Sequence, residues 1–256
     1  MSKEDSVITL YDVPSKLENR IWNPMPLKVR YCLKYKGLAY KTVWLEYPDI
    51  EPTFQKLGIP PDLKVPYRKP DGTPLYTVPA IYDPKTKSFI IDSLEIAEYL
   101  DRTYPDTPPL VPPGTHALMA SFNGFINPNF AAALPFLVPR SAWILNPSSE
   151  QYFRRTREAG VFGGRKLEEV FPTGNDKMEQ WEKMKDGLQP ISDVLKKEPG
   201  PFVMGSSVSF ADFALAGMIG WARIVLGNES EEWQDMSTWH EGVFGKALDN
   251  LKQYEN

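Results

Sequence analysis

Leu75-Tyr76-Thr77-Val78-Pro79-Ala80-Ile81-Tyr82-Asp83, then Pro84-Lys85-Thr86-Lys87, then Ser88-Phe89-Ile90-Ile91-Asp92, then Ser93-Leu94-Glu95-Ile96-Ala97-Glu98-Tyr99-Leu100: this run decides the fold. Two strand-like segments joined by a tight polar turn read as a hairpin. Ser93 to Tyr104 then spaces Leu94, Ile96, Ala97, Tyr99 and Leu100 as an amphipathic helix opening on Asp92-Ser93. Upstream, Val7 to Tyr11 reads as a strand closed by Pro14. A polar loop over 15–20 follows, and Asn23-Pro24 resembles a helix start, with a side-chain cap and a proline where a missing N–H costs little. Leu27 to Tyr35 keeps helical spacing up to a Lys36-Gly37 stop, and Thr42 to Tyr47 returns to strand composition. The stretch 48–74 is rich in Pro, Lys and Asp, with a short helical candidate at Thr53 to Leu57. The predicted order is strand, helix, strand, helix, strand, strand, helix.

Downstream, Tyr104 to Pro113 holds five prolines and can neither continue a helix nor enter a sheet. Beyond it only helical windows appear: 115–139, 149–170, 176–197, 210–225 and a terminal set over 229–254. We therefore expect an α/β domain over 1–104, a Pro-rich linker over 105–113 and an all-helical domain over 114–256. The length of 256 residues, with 42% hydrophobic and 12% aromatic content, suits two cores.

Composition excludes several function classes. With 29 basic and 33 acidic residues, a net charge of −4 gives no global attraction for nucleic acid or an anionic membrane. The one cysteine, Cys32, cannot form an internal disulfide, a Cys-rich zinc site or a Cys-X-X-Cys pair, and His116 and His240 make a histidine-based or metal enzyme a poor expectation. The longest apolar stretch, Ala211 to Gly227, contains Asp212 and Arg223 and reads as a core helix rather than a membrane span. The expected location is a reducing compartment, the cytoplasm.

The order of these elements resembles the glutathione transferases over essentially the whole chain. The resemblance is carried by the Lys28-Val29-Arg30 helix, the Lys36-Gly37-Leu38 helix end, Thr77-Val78-Pro79-Ala80, the Ile91 to Leu100 segment and Ser209-Phe210-Ala211-Asp212 in the helical half. The Tyr47 to Pro52 and Leu57 to Pro61 insertions are most similar to a fungal-specific group, class A, which itself resembles bacterial β-etherases. The resemblance implies a thioredoxin-like N-terminal domain plus an all-α C-terminal domain and a homodimer. It further implies glutathione as co-substrate with no other cofactor, and attack of the glutathione thiolate on an apolar or aromatic electrophile, a hydroperoxide or an aryl ether.

The site residues follow from the resemblance together with the chemistry of the tripeptide. Val78, before a proline that the family holds cis, would pair its backbone with the cysteinyl unit. Ser93, at a helix N-terminus, would hold the γ-glutamyl carboxylate, and Asp92 its α-amine. Lys56, Lys64, Arg68 and Lys69 are all candidates for the glycyl carboxylate. A free thiol titrates at roughly 8.5, and lowering that by about two units needs ~2.7 kcal/mol, close to one hydrogen bond to a charged group. The family's thiol donor position falls on Asn23, where related sequences lead to an expectation of serine; Ser15 is the alternative hydroxyl, with Tyr11 behind it. Phe122, Phe125 and Phe130 are candidates for a wall facing aromatic or otherwise apolar small molecules. A non-catalytic binding protein for glutathione conjugates or aromatic small molecules is the rival reading. Ser209 to Asp212 has the spacing of a helix-capping box and reads as a folding element.

Overall fold

A computed structural model describes residues 7–63 and 72–255. Lys64, Arg68 and Lys69 lie outside the described residues. In the first half, β1 (Ile8–Asp12), α1 (Pro24–Tyr35), β2 (Tyr40–Trp44), α2 (Tyr47–Leu57), β3 (Ala80–Asp83), β4 (Ser88–Ile91) and α3 (Ser93–Thr103) follow the expected order. Their four strands form one sheet in the order β2-β1-β3-β4. β1 and β2 run parallel across the α1 crossover, while β1–β3 and β3–β4 are antiparallel. Every residue of β1 is buried, as an inner strand covered on both faces must be.

Local chemistry accounts for most element ends. Gly37 takes φ 67° after α1, and its N–H and that of Leu38 return to the carbonyls of Lys34 and Leu33, satisfying the last turn. α2 begins six residues before the expected Thr53. Pro48 falls in the first turn, where no intrahelical N–H bond is lost, and only Pro52 sits inside the helix.

The second half is helical: α4 (His116–Asn129), a 3₁₀ turn at Ala131–Ala133, α5 (Leu134–Trp143), α6 (Pro147–Gly160), α7 (Leu167–Val170), α8 (Gly174–Leu195), α9 (Phe210–Leu226), α10 (Glu231–Asp249) and a 3₁₀ turn at Lys252–Tyr254. The 115–139 window breaks just past Pro128. The 149–170 window breaks at Gly163 and Gly164, both at positive φ. α10 kinks where His240 and Glu241 enter the left-handed region at φ 54° and 69°.

α9 is the hub of the helical half and is buried along nearly its whole length. Its start is fixed by the capping box: Asp212 accepts from the N–H and hydroxyl of Ser209 and from the Val203 N–H. α1 packs tightly along it. A Cβ on Gly217 would lie 2.7 Å from both Pro24 O and Lys28 Cγ, so only glycine permits this approach. Between the halves, the Asp101 carboxylate accepts from the N–H groups of Leu110 and Val111 and from Lys36 Nζ, fixing the Pro-rich connection. No described helix is long and apolar enough to cross a membrane.

Candidate functional site

Strand register places the candidate residues. Tyr11 pairs with Ala80 and Ala80 with Ile91, so these three form one row across the sheet. The loop after Asp12, the Val78–Pro79 peptide and Asp92-Ser93 all lie immediately beyond that row, at one end of the sheet.

Val78–Pro79 is cis, and both residues are buried ahead of the first β1–β3 pair. No backbone hydrogen bond to Val78 is present among the described residues. Asp92, at φ 70°, is the N-cap of α3, and its Oδ1 accepts from the N–H groups of Leu94 and Glu95. The cap thus takes the second and third donors of the helix, and the first is the N–H of buried Ser93.

Asn23 caps α1 by the same chemistry. Its Oδ1 accepts from Met25 N–H at 3.2 Å, and its carbonyl accepts from Leu27 N–H at 3.1 Å. Pro24 and Pro26 carry no N–H and Met25 N–H is taken by the cap, so the start of α1 offers no backbone donor beyond the N–H of Asn23 itself. The oxygen end of the Asn23 amide is committed to the cap, which assigns the other end as NH₂, and that group has no partner among the described residues.

Ser15 sits in the same loop under different constraints. Its Oγ accepts from Leu17 N–H, its own N–H bonds Arg20 O, and it bridges to Leu145 of the helical half. Tyr11 belongs to the core, edge-on to Phe54, and burial raises its phenol pKa. Phe122 is nearly buried and Phe125 half-buried, with ring centroids 6.3 Å apart. Phe130 has no exposed surface. It packs inside the helical core rather than on a wall, so the candidate apolar wall rests on the other two. Lys56 is exposed on the last turn of α2.

Buried titratable groups line α1 or meet it, among them Asp12, Lys28 and Cys32. Burial raises the Asp12 carboxyl to about 6, despite the Arg30 guanidinium 2.9 Å away. Burial lowers Lys28 to about 8, opposed by the charge of Asp92. The Cys32 thiol is pushed upward, again by burial. No group of His, Cys, Asp and Glu among the described residues is arranged to hold a metal ion.

Residues 22–103 match the glutathione S-transferase N-terminal domain and residues 117–254 the glutathione S-transferase C-terminal domain. The chain belongs to the glutathione S-transferase family. Among curated relatives, the glutathione S-transferase-like protein ustS of Aspergillus flavus is 30% identical, over 94% of this chain and 88% of its own length. Among solved structures, the glutathione S-transferase CsGST63524 of Ceriporiopsis subvermispora, in complex with glutathione, is 41% identical. It covers 98% of each chain with a TM-score of 0.90. Glutathione transferase GSTFuA3 of Phanerochaete chrysosporium is 38% identical over 98% of each chain, with a TM-score of 0.88.

One buried residue of α1 was not singled out in the sequence reading. Lys28 is 1% exposed and donates to Asn123 Oδ1 of α4 at 2.9 Å. The available signal was its spacing four residues before Cys32, which puts it on the same helix face as a buried thiol.

Proposed function

We propose that the protein binds glutathione at the sheet end beyond Tyr11, Ala80 and Ile91 and conjugates it to apolar or aromatic electrophiles. Val78 offers its backbone to the cysteinyl unit, the Ser93 N–H and hydroxyl receive the γ-glutamyl carboxylate, and Asp92 faces the α-amine. The Asn23 NH₂ donates to the thiolate. The observation that carries this reading is the donor account of α1: with two prolines and a spent Met25 N–H, the donors left at the helix start belong to Asn23, and its side-chain NH₂ is the one that reaches out from the backbone. The positive end of the α1 dipole adds to it. A neutral amide donor to a thiolate is worth ~1.5–3 kcal/mol, enough to move a thiol pKa by about one to two units. No metal takes part in this scheme; the enzyme supplies proximity and thiolate stabilisation. Phe122 and Phe125 form the apolar side on which the electrophile rests.

The glutathione complex of the 41%-identical relative supports this reading. The test is ultraviolet titration of the enzyme-bound thiolate. Its pKa should lie below that of free glutathione in the wild type and return toward the free value in Asn23→Ala. An unshifted wild-type thiol would instead support a binding protein for glutathione conjugates. A shifted thiol indifferent to Asn23 would move the donor role to Ser15.

A further inference from the structure

We infer that the helical half carries a second, smaller binding site, a hollow between α8, α9 and α10 that takes a neutral single-ring molecule bearing one hydroxyl. The inference does not depend on the glutathione reading above.

The hollow measures about 210 Å³. Leu195 of α8, Leu215 of α9, and Val243, Ala247 and Leu251 on or just beyond α10 supply apolar walls, and Phe202 closes one side from the loop over 200–207. The hollow lies apart from the sheet end. Leu215 and Gly217 are two residues apart, which is about 200° around a helix. Gly217 is the one that meets Pro24 and Lys28, so α9 stands between the hollow and α1.

Polar contacts keep the hollow open. A loop over apolar walls gains dispersion contacts by settling onto them. This loop is held off instead: Asn250 Nδ2 donates to Pro201 O at 2.9 Å, and Asp212 Oδ1 accepts from Val203 N–H at 2.7 Å. The loop is also stiff in itself. Phe202 and Gly205 exchange both backbone hydrogen bonds, and a Cβ on Gly200 would run into the Gly205 backbone.

Size and polar groups choose the occupant. A drug-sized ligand needs roughly 300 Å³ or more, whereas an apolar cavity of about 150 Å³ accepts benzene. The volume here admits one ring with a small substituent and excludes a tripeptide conjugate. Lys246 and Asn250 both line the hollow, and a spacing of four puts them on one helix face. The Asn250 nitrogen is spent on Pro201, which leaves its oxygen as an acceptor, while Lys246 Nζ gives one of its three N–H donors to Glu241 O. A donor beside an acceptor is the complement of a hydroxyl group. The other charge in the lining, Asp212, is spent on Val203 and Ser209, and it offsets that of Lys246, which suits an uncharged ligand.

The experiment titrates the protein with 4-fluorobenzyl alcohol and 4-fluorotoluene, which differ in the hydroxyl, by fluorine NMR. The alcohol should bind with a Kd of about 1 mM, as befits so few atoms, and the toluene about fivefold more weakly, the worth of one net hydrogen bond. Ala247→Leu, which extends a side chain into the hollow, should abolish both signals, and Lys246→Met, at the exposed rim, should bring the two affinities near parity. S-hexylglutathione should displace neither probe. Binding that survives Ala247→Leu, or that S-hexylglutathione displaces, belongs to another site and overturns the proposal. So does a wild type that binds neither probe, or a preference for the alcohol that Lys246→Met leaves unchanged. Should Ala247→Leu fail to fold, Val243→Phe fills the same hollow from one turn earlier and is read in the same way.

Discussion

Asp12 shows how a single buried group leaves a mark on stability. Its carboxyl accepts from Arg30 Nη2 and from the Val13 N–H, yet burial outweighs both and raises its pKa from 3.8 to about 6. A raised folded-state pKa means that the folded protein holds the proton longer than the unfolded chain does. The stabilising contribution is therefore complete below about pH 4 and lost as pH climbs through about 6. Urea unfolding at pH steps from 4 to 7 should show a decline of about 2–3 kcal/mol from this group. In Asp12→Asn that part of the slope should vanish, whatever the variant's absolute stability. A wild-type and variant slope that coincide would refute the assignment. Arg30 is held in place from several sides, bonded to Thr42 Oγ1 and lying over the Tyr40 and Trp44 rings.

Among the elements, the α1–α9 contact gives the sharpest test. Gly217 and Gly220 both face α1, but a Cβ at 217 meets the Pro24 carbonyl at 2.7 Å, whereas one at 220 meets only Leu27 Cδ1, at 3.7 Å. Gly217→Ala should destabilise by ~1–3 kcal/mol through overpacking against backbone. Gly220→Ala should be neutral or stabilising by ~0.5–1 kcal/mol, because alanine costs less helix entropy than glycine. Denaturant midpoints decide; equal losses in both would mean that the helices do not approach as described. Much of this element map was legible in the sequence. The β-α-β and hairpin order followed from residue periodicity, and the Asn23 and Asp92 caps from local side-chain chemistry. What the sequence hid is tertiary. Lys28 looks like an ordinary surface lysine until α3, α4 and α9 close around α1. Phe130 looks like Phe122 until the turn after α4 rotates it into the core. The α10 kink has little local signal beyond Gly242, since His240 and Glu241 adopt left-handed backbone only within the packed structure.

For the whole molecule, a few polar clamps fix the relation of the two halves. Asp101 binds the connection, and Lys36 Nζ reaches both that carboxylate and Pro108 O. On the far side, Glu46 accepts from Asn146 Nδ2 and from Ser149 Oγ, while Ser149 Oγ accepts from the Tyr47 N–H. Around that joint Tyr47 stacks on Tyr152, and Trp22 meets Tyr47 and Phe153 edge-on. Because the candidate site takes residues from both halves, these clamps hold its width. Asp101→Ala removes the acceptor for two linker N–H groups and for a buried lysine, and limited proteolysis should then cut within 105–113 at least tenfold faster than in wild type. An unchanged rate would show that the prolines alone keep the linker closed.

The single thiol, Cys32, is wholly enclosed in α1, and burial holds it in the protonated form. A disulfide dye added to the native protein should therefore find nothing to react with, and should release one equivalent of chromophore only once the chain is unfolded. In the folded state the polypeptide is a dark background for sulfur chemistry. Any fast thiol signal from a sample loaded with glutathione, the proposed ligand, comes from the tripeptide and not from the protein, so its consumption can be followed without mutating the protein to remove its own cysteine.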